Sequence, residues 1–250
     1  MKYQKIIFLL ILLFLPTQLG RHFWPNFTYV LGQRVDYLSP TIYLTDILIG
    51  VLFLLELKGT YKFLKKYSLA VWLSGCLAVL LSFFWVFFQR QDSGLLLYKW
   101  IKLFEFSFFG FWARNNVKLE EVFFPLSLGV LGESVLAWLE FFNQRSLGLW
   151  ILGERSFHTG TPGIALANWQ GGLTLRPYAT FPHPNVLGGY TLIILVLSLF
   201  SEWQPKFLRV LTLLLGTTTI FICFSRVVWI AWLLIVCLWQ WRNKRNDFPI

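Results

Sequence analysis

Arg176, His183, Asn185 and Arg226 are the residues whose types and spacing best suit chemistry in this chain. The stretch Leu175-Arg-Pro-Tyr-Ala-Thr-Phe-Pro-His-Pro-Asn-Val-Leu-Gly-Gly-Tyr190 holds the first three. Pro182 and Pro184 force an extended approach to the apolar run that starts at Val186. Asn185 stands where a helix cap is expected. A helix that starts there offers free N–H groups and a partial positive charge. With Arg176 close by in sequence, this is an anion site for phosphate or diphosphate. The blander alternative is a simple helix start, with Arg176 meeting lipid headgroups. Arg226 lies in Phe224-Ser-Arg-Val-Val-Trp229, between two apolar runs. An arginine in so tight a turn needs an anionic partner or water, and a lipid headgroup serves as well as a ligand. Trp229 beside it reads as an interface anchor.

Other charges fall inside apolar runs. Lys99, Lys102 and Glu105 are spaced by three, so they share a helical face, and Lys102 and Glu105 can pair. They read either as a polar seam along a cavity or as a helix start with snorkelling lysines. Glu133 follows Gly129 and Gly132, and fits equally as polar glue between helices or as a site residue. Glu140 reads as solvated. Cys76, Cys223 and Cys237 lie in apolar runs without CxxC spacing or a histidine at ligand distance, so they read as small hydrophobes. No metal or cofactor is expected.

The elements that must position these residues are apolar. Of 250 residues, 56% are hydrophobic and 14% charged, and mean hydropathy is +0.61. A soluble domain carries about 25% charged residues; lipid can solvate the difference. The net charge of +10 does not imply nucleic acid, because the basic residues form short clusters between apolar runs. The expected fold is an all-α polytopic transmembrane bundle of about eight spans, N-in and C-in, at roughly 5–20, 41–57, 68–88, 96–113, 117–139, 184–201, 207–224 and 227–241. Residues 1–250 form one membrane domain: N-terminal spans over 5–139, an extracytoplasmic loop at 140–183 and spans over 184–241. The first span has a basic start and a short apolar core, like a signal peptide, but Thr17-Gln-Leu-Gly20 matches a cleavage site poorly, so it reads as an uncleaved helix.

Orientation follows from the basic residues. With the N-terminus inside, Lys58, Lys62, Lys65, Lys66, Arg114, Lys118, Lys206, Arg209, Arg242, Lys244 and Arg245 face inward, with Lys2 and Lys5. The outer segments hold Arg21, Arg34, Arg90, Arg145, Arg155, Arg176 and Arg226, and no lysine. The planar guanidinium fork suits phosphate better than an ammonium does. The loop at 140–183 is too polar to cross a bilayer and too long for a turn, and such loops often carry function.

The order Arg-Pro-Tyr-x-Thr-Phe-x-His-Pro-Asn, Gly-Gly-Tyr, one helix pair, then Ser225-Arg226 resembles the O-antigen ligase and polymerase family. The upstream Leu152-Gly-Glu-Arg-x-Phe157 and Thr161-Pro-Gly-Ile-Ala165 are similar to ligase-like members. The specific part covers 152–229. The resemblance implies a protein of the bacterial inner (cytoplasmic) membrane, multi-pass, that works in polysaccharide and cell-envelope biosynthesis. It would move a glycan from an undecaprenyl-diphosphate carrier to a glycan or lipid A–core-type acceptor at the extracytoplasmic face. It implies no nucleotide donor and no required metal. Arg226 would bind the diphosphate, with the matching upstream Arg176 assisting; Asn185 and Arg155 are further candidates for binding the diphosphate. Family members carry more spans and a large outer loop with a further histidine after the Ser-Arg helix. That part has no counterpart before Ile250, and His158 and His183 lie upstream of it. The resemblance thus implies a chain lacking the C-terminal part, whose activity as an enzyme stays open.

Three functions are expected on this basis: a glycan ligase, with the catalytic base supplied by His183 or by the missing part; a polymerase of the same family; or a non-catalytic lipid-carrier-binding fragment. A growing charge on a diphosphate leaving group is what fixed arginines in a dry cavity stabilise.

Overall fold

A computed structural model describes residues 2–35, 38–57, 77–85, 93–200 and 205–246. The described chain is mostly helical. In order come α1 (Lys2–Phe14), α2 (Leu44–Leu55), α3 (77–85), α4 (Ser93–Asn116), α5 (Leu119–Asn143), α6 (Pro184–Phe200), α7 (Lys206–Ile222) and α8 (Arg226–Asn246). Three two-stranded antiparallel pairs interrupt the helices: β1 (Gly20–His22) with β4 (Thr41–Tyr43), β2 (Tyr29–Val30) with β3 (Gln33–Arg34), and β5 (Leu166–Trp169) with β6 (Gly172–Leu175).

The expected all-α bundle of eight spans is not supported. Among the described residues one helix, Leu119–Asn143, is long and apolar enough to cross a membrane. Leu44–Leu55 and Pro184–Phe200 are apolar but shorter. The reason is geometric. At 1.5 Å rise per residue, the 17-residue helices α6 and α7 reach only about 26 Å of a roughly 30 Å hydrocarbon core. The first helix stops at Phe14, well short of residue 20, because Pro16 and a turn end it. The 24-residue α4 is long but carries Lys99, Lys102, Glu105 and Arg114. The expected span at 68–88 is helical over 77–85, and the rest of it lies outside the described residues, as do Lys58, Lys62, Lys65, Lys66, Arg90 and Cys76.

The chain divides into two compact units. The first holds residues up to 11 and 20–118. Phe8 of α1 is buried and stacks on Phe109 at 5.3 Å. Phe53 of α2 meets Phe108 of α4 edge-on. Asp46 caps α2 by accepting the Tyr43 backbone N–H. Lys102 pairs with Asp46 and, at 3.7 Å, with Glu105. The expected Lys102–Glu105 pairing is therefore present, joined by a carboxylate that sequence spacing did not bring to it.

The second unit holds residues 12–19 and 119–250, and it carries the site. Its core joins Leu136 and Ala137 of α5, Ala179 and Phe181 of the loop, Leu187 of α6, and Ile222 and Cys223 at the end of α7. A second cluster of Leu195, Leu199, Ile220, Val228 and Trp232 ties α6 to α7 and α8. Helices approach closely where side chains are small. A Cβ on Gly216 would lie 2.7 Å from Leu195 Cδ2.

Candidate functional site

The loop before α6 is held by carboxylates. Glu140 is fully buried and its Oε2 accepts the backbone N–H groups of Tyr178 and Ala179 at 2.7 and 2.8 Å. Glu133, two turns earlier on α5, accepts the Thr180 N–H at 3.0 Å and meets its hydroxyl at 2.9 Å. Glu154, also buried, accepts the N–H groups of Leu147 and Leu149. These bonds satisfy backbone donors that a buried loop would otherwise leave unpaired. Glu140 is thus not solvated, as sequence position implied, and Glu133 acts as structural glue.

That fixed backbone sets Arg176, which follows β6. Its Nε donates to the Cys223 carbonyl at 2.8 Å and its Nη2 to Asn185 Oδ1 at 2.6 Å. Among the described residues, the other terminal nitrogen of the fork has no partner. Burial lowers the Arg176 pKa from its ordinary value; an arginine stays charged regardless.

Arg226 arrives from the other side. Helix α7 ends at Ile222, with Cys223 as its cap. Phe224 then adopts a left-handed φ of 50°, a conformation usually given to glycine. This reverses the chain within Phe224-Ser225 and makes Arg226 the first residue of α8. Among the described residues no ion pair or side-chain hydrogen bond holds Arg226, and it is exposed. The backbone N–H groups of the first turn of α8 lie beside it.

Arg176, Asn185 and Arg226 line one cavity of about 740 Å³, with Ser225, Phe224, Trp229 and the hairpin residues Leu166 to Trp169. Two guanidiniums, an amide and a helix start suit a polyanion. The Trp229 indole N–H donates to the Ile220 carbonyl at 2.8 Å, and its ring walls the cavity. A second cavity of about 380 Å³, lined by Trp138, Phe141, Phe221 and Ile222 among others, shares Trp169, Phe224 and Trp229 with the first.

His183 and Arg155 do not line the 740 Å³ cavity. Arg155 donates to the Pro182 carbonyl at 2.5 Å and lies over the Tyr178 ring, bracing the loop from outside. His183, not Asn185, caps α6: its Nδ1 accepts the Asn185 N–H at 3.1 Å. Pro184 occupies the first helical position and the Asn185 side-chain Oδ1 is already taken by Arg176. An accepting Nδ1 leaves the ring proton on Nε2, so the neutral ring has no free lone pair to act as a base.

Burial lowers the His183 pKa from 6.5, and the Arg176 and Arg155 cations lower it further. Because the folded pKa is the lower one, the unfolded chain binds the proton first. Stability from this group is full above 6.5 and falls as pH drops below it. His183→Ala is expected to cost about 1 kcal/mol through loss of the cap and to flatten that pH dependence. His183→Asn should restore most of the stability. Thermal melts from pH 5 to 8 measure both.

The residues that sequence reasoning passed over are Trp169, Asn168, Phe224 and Glu154. Trp169-Gln-Gly-Gly172 between two alternating stretches carried a hairpin signal; the buried Glu154 carried none. Among the described residues no three His, Cys, Asp or Glu side chains are grouped to hold a metal ion. No protein-family model, curated protein or solved structure matches this chain.

Proposed function

We propose that this cavity binds the diphosphate of a lipid-linked glycan, and that the chain is an O-antigen ligase-like membrane glycosyltransferase. The donor would be a glycan on undecaprenyl diphosphate, and the acceptor a hydroxyl of another glycan or a lipid A–core-type molecule at the extracytoplasmic face. One observation carries this: the uncommitted Arg226 guanidinium faces the same cavity as Arg176, whose position two hydrogen bonds fix. In transfer, the bond from the sugar's anomeric carbon to the diphosphate oxygen breaks and a bond to the acceptor oxygen forms. Negative charge then collects on the diphosphate, where preoriented guanidiniums stabilise it.

Exposed apolar surface supports a multi-pass position in the bacterial cytoplasmic membrane. Val227, Ile230, Leu234 and Leu238 on α8, Phe207, Val210 and Leu214 on α7, and Ile193 on α6 are all more than half exposed. Contiguous apolar surface on this scale calls for lipid or a partner.

The second reading, a lipid-carrier-binding protein without turnover, also has a specific observation behind it. Among the described residues, the cavity lining holds no His, Asp or Glu to take the acceptor's proton. The purified chain in nanodiscs should bind undecaprenyl diphosphate saturably, with displacement by inorganic pyrophosphate. Absence of displacement would remove the diphosphate function. Binding without transfer of a lipid-linked glycan would favour the second reading.

A further inference from the structure

We propose that the β5–β6 hairpin is the glycan-recognising wall of the cavity, with Trp169 stacking on, and Asn168 hydrogen-bonding to, the sugar ring attached to the diphosphate. This assignment depends on the diphosphate function proposed above.

The hairpin closes through Gln170 and Gly171, both left-handed at φ 52° and 82°. Two such residues make the tight turn whose twist matches paired strands. Its register sets Trp169 opposite Gly172 and Asn168 opposite Leu173. Gly172 presents no side chain across from the indole. Phe224 braces Trp169 edge-on at 5.6 Å, yet the residue remains 51% exposed. A tryptophan kept for packing alone would bury more of its surface. Asn168 is exposed, and its amide makes no hydrogen bond among the described residues. Both side chains line the cavity that holds the two arginines.

The chemistry of these two groups is complementary to a pyranose. One face of the ring carries C–H groups that stack on an indole, and its hydroxyls pair with an amide that both donates and accepts. The other substituent of the diphosphate is an isoprenoid. The neighbouring 380 Å³ cavity is walled chiefly by aromatic rings, among them Trp138, Phe141 and Phe221, and the hydroxyl of its Thr218 is taken by the Trp138 indole N–H. That cavity suits the isoprenoid, which leaves the hairpin side, with its amide, for the sugar. The donor would then lie in one direction only, with Trp169 at the divide.

The test is calorimetric titration of the full chain in nanodiscs with two probes: farnesyl diphosphate, which has no sugar, and N-acetylglucosaminyl diphosphoryl polyprenol. Trp169→Ala should weaken the sugar-bearing probe about tenfold more than the sugar-free probe, because the indole walls the apolar cavity as well. Trp169→Phe should recover most of the loss, and Asn168→Ala should lower only sugar-dependent affinity. Equal weakening of both probes, or no change in either, would overturn the glycan wall while the diphosphate site stands. If the unaltered chain binds neither probe, the diphosphate function fails and the glycan wall with it. Melting curves of each variant separate lost recognition from lost folding.

Discussion

Replacing Arg226 by alanine is expected to cut affinity for undecaprenyl diphosphate about a hundredfold and to abolish any glycan transfer, while the protein inserts and melts unchanged. The first half follows from charge. A guanidinium meeting a diphosphate in a partly dry cavity forms two charge-assisted bonds, each worth roughly 1.5–3 kcal/mol. The second half follows from what Arg226 does not touch. No ion pair or side-chain hydrogen bond among the described residues would be orphaned by its removal. Arg176 lacks this property, since its loss would strand the Cys223 carbonyl and Asn185. Arg226→Lys keeps the charge but not the fork, and should recover part of the binding. Titration of the three proteins, with membrane extraction as a control, decides it. Wild-type affinity in the alanine variant would end the proposal for this cavity.

Glu140→Leu should be the most damaging substitution for folding. Two backbone N–H groups converge on Glu140 Oε2 in a fully buried place. Leucine leaves both unpaired, at about 1–3 kcal/mol each, which is a large share of a typical domain's stability. Glutamine is the informative control. Its carbonyl oxygen can take the place of Oε2, and its amide N–H groups can point where Oε1 now lies. Oε1 is buried and has no hydrogen-bond partner among the described residues, and Glu154 is an electrostatic neighbour of the carboxyl group. Glu140→Gln should therefore match or exceed the parent in a thermal melt. If leucine melts with glutamine, the carboxylate is not holding the loop.

The sequence was a good guide to which segments meet and a poor one to how they end. Arg176 and Asn185 are near neighbours in the chain and Arg226 is distant from both, and their motif order brought attention to all three. Spans were misjudged because hydropathy counts apolar residues but does not see helix stops. Pro16 and the turn after it shorten α1, and Pro184, Pro205 and left-handed Phe224 bound α6 and α7. The choice of cap was misjudged because asparagine is the commoner capping residue. Only the folded chain shows that Arg176 has already claimed its oxygen. Glu140 and Glu154 look like ordinary surface acids in sequence, because the backbone donors they serve lie 38 residues and 5–7 residues away.

The rungs from Glu133 and Glu140 reach three successive residues, Tyr178 to Thr180, from a single face of α5. A connection anchored in this way cannot swing aside like a flap without breaking buried bonds in concert. Amide protons there should exchange with solvent on the timescale of the helix beneath rather than of a surface loop. Traffic into the chamber must then pass the exposed hairpin tip, over a floor that does not lift.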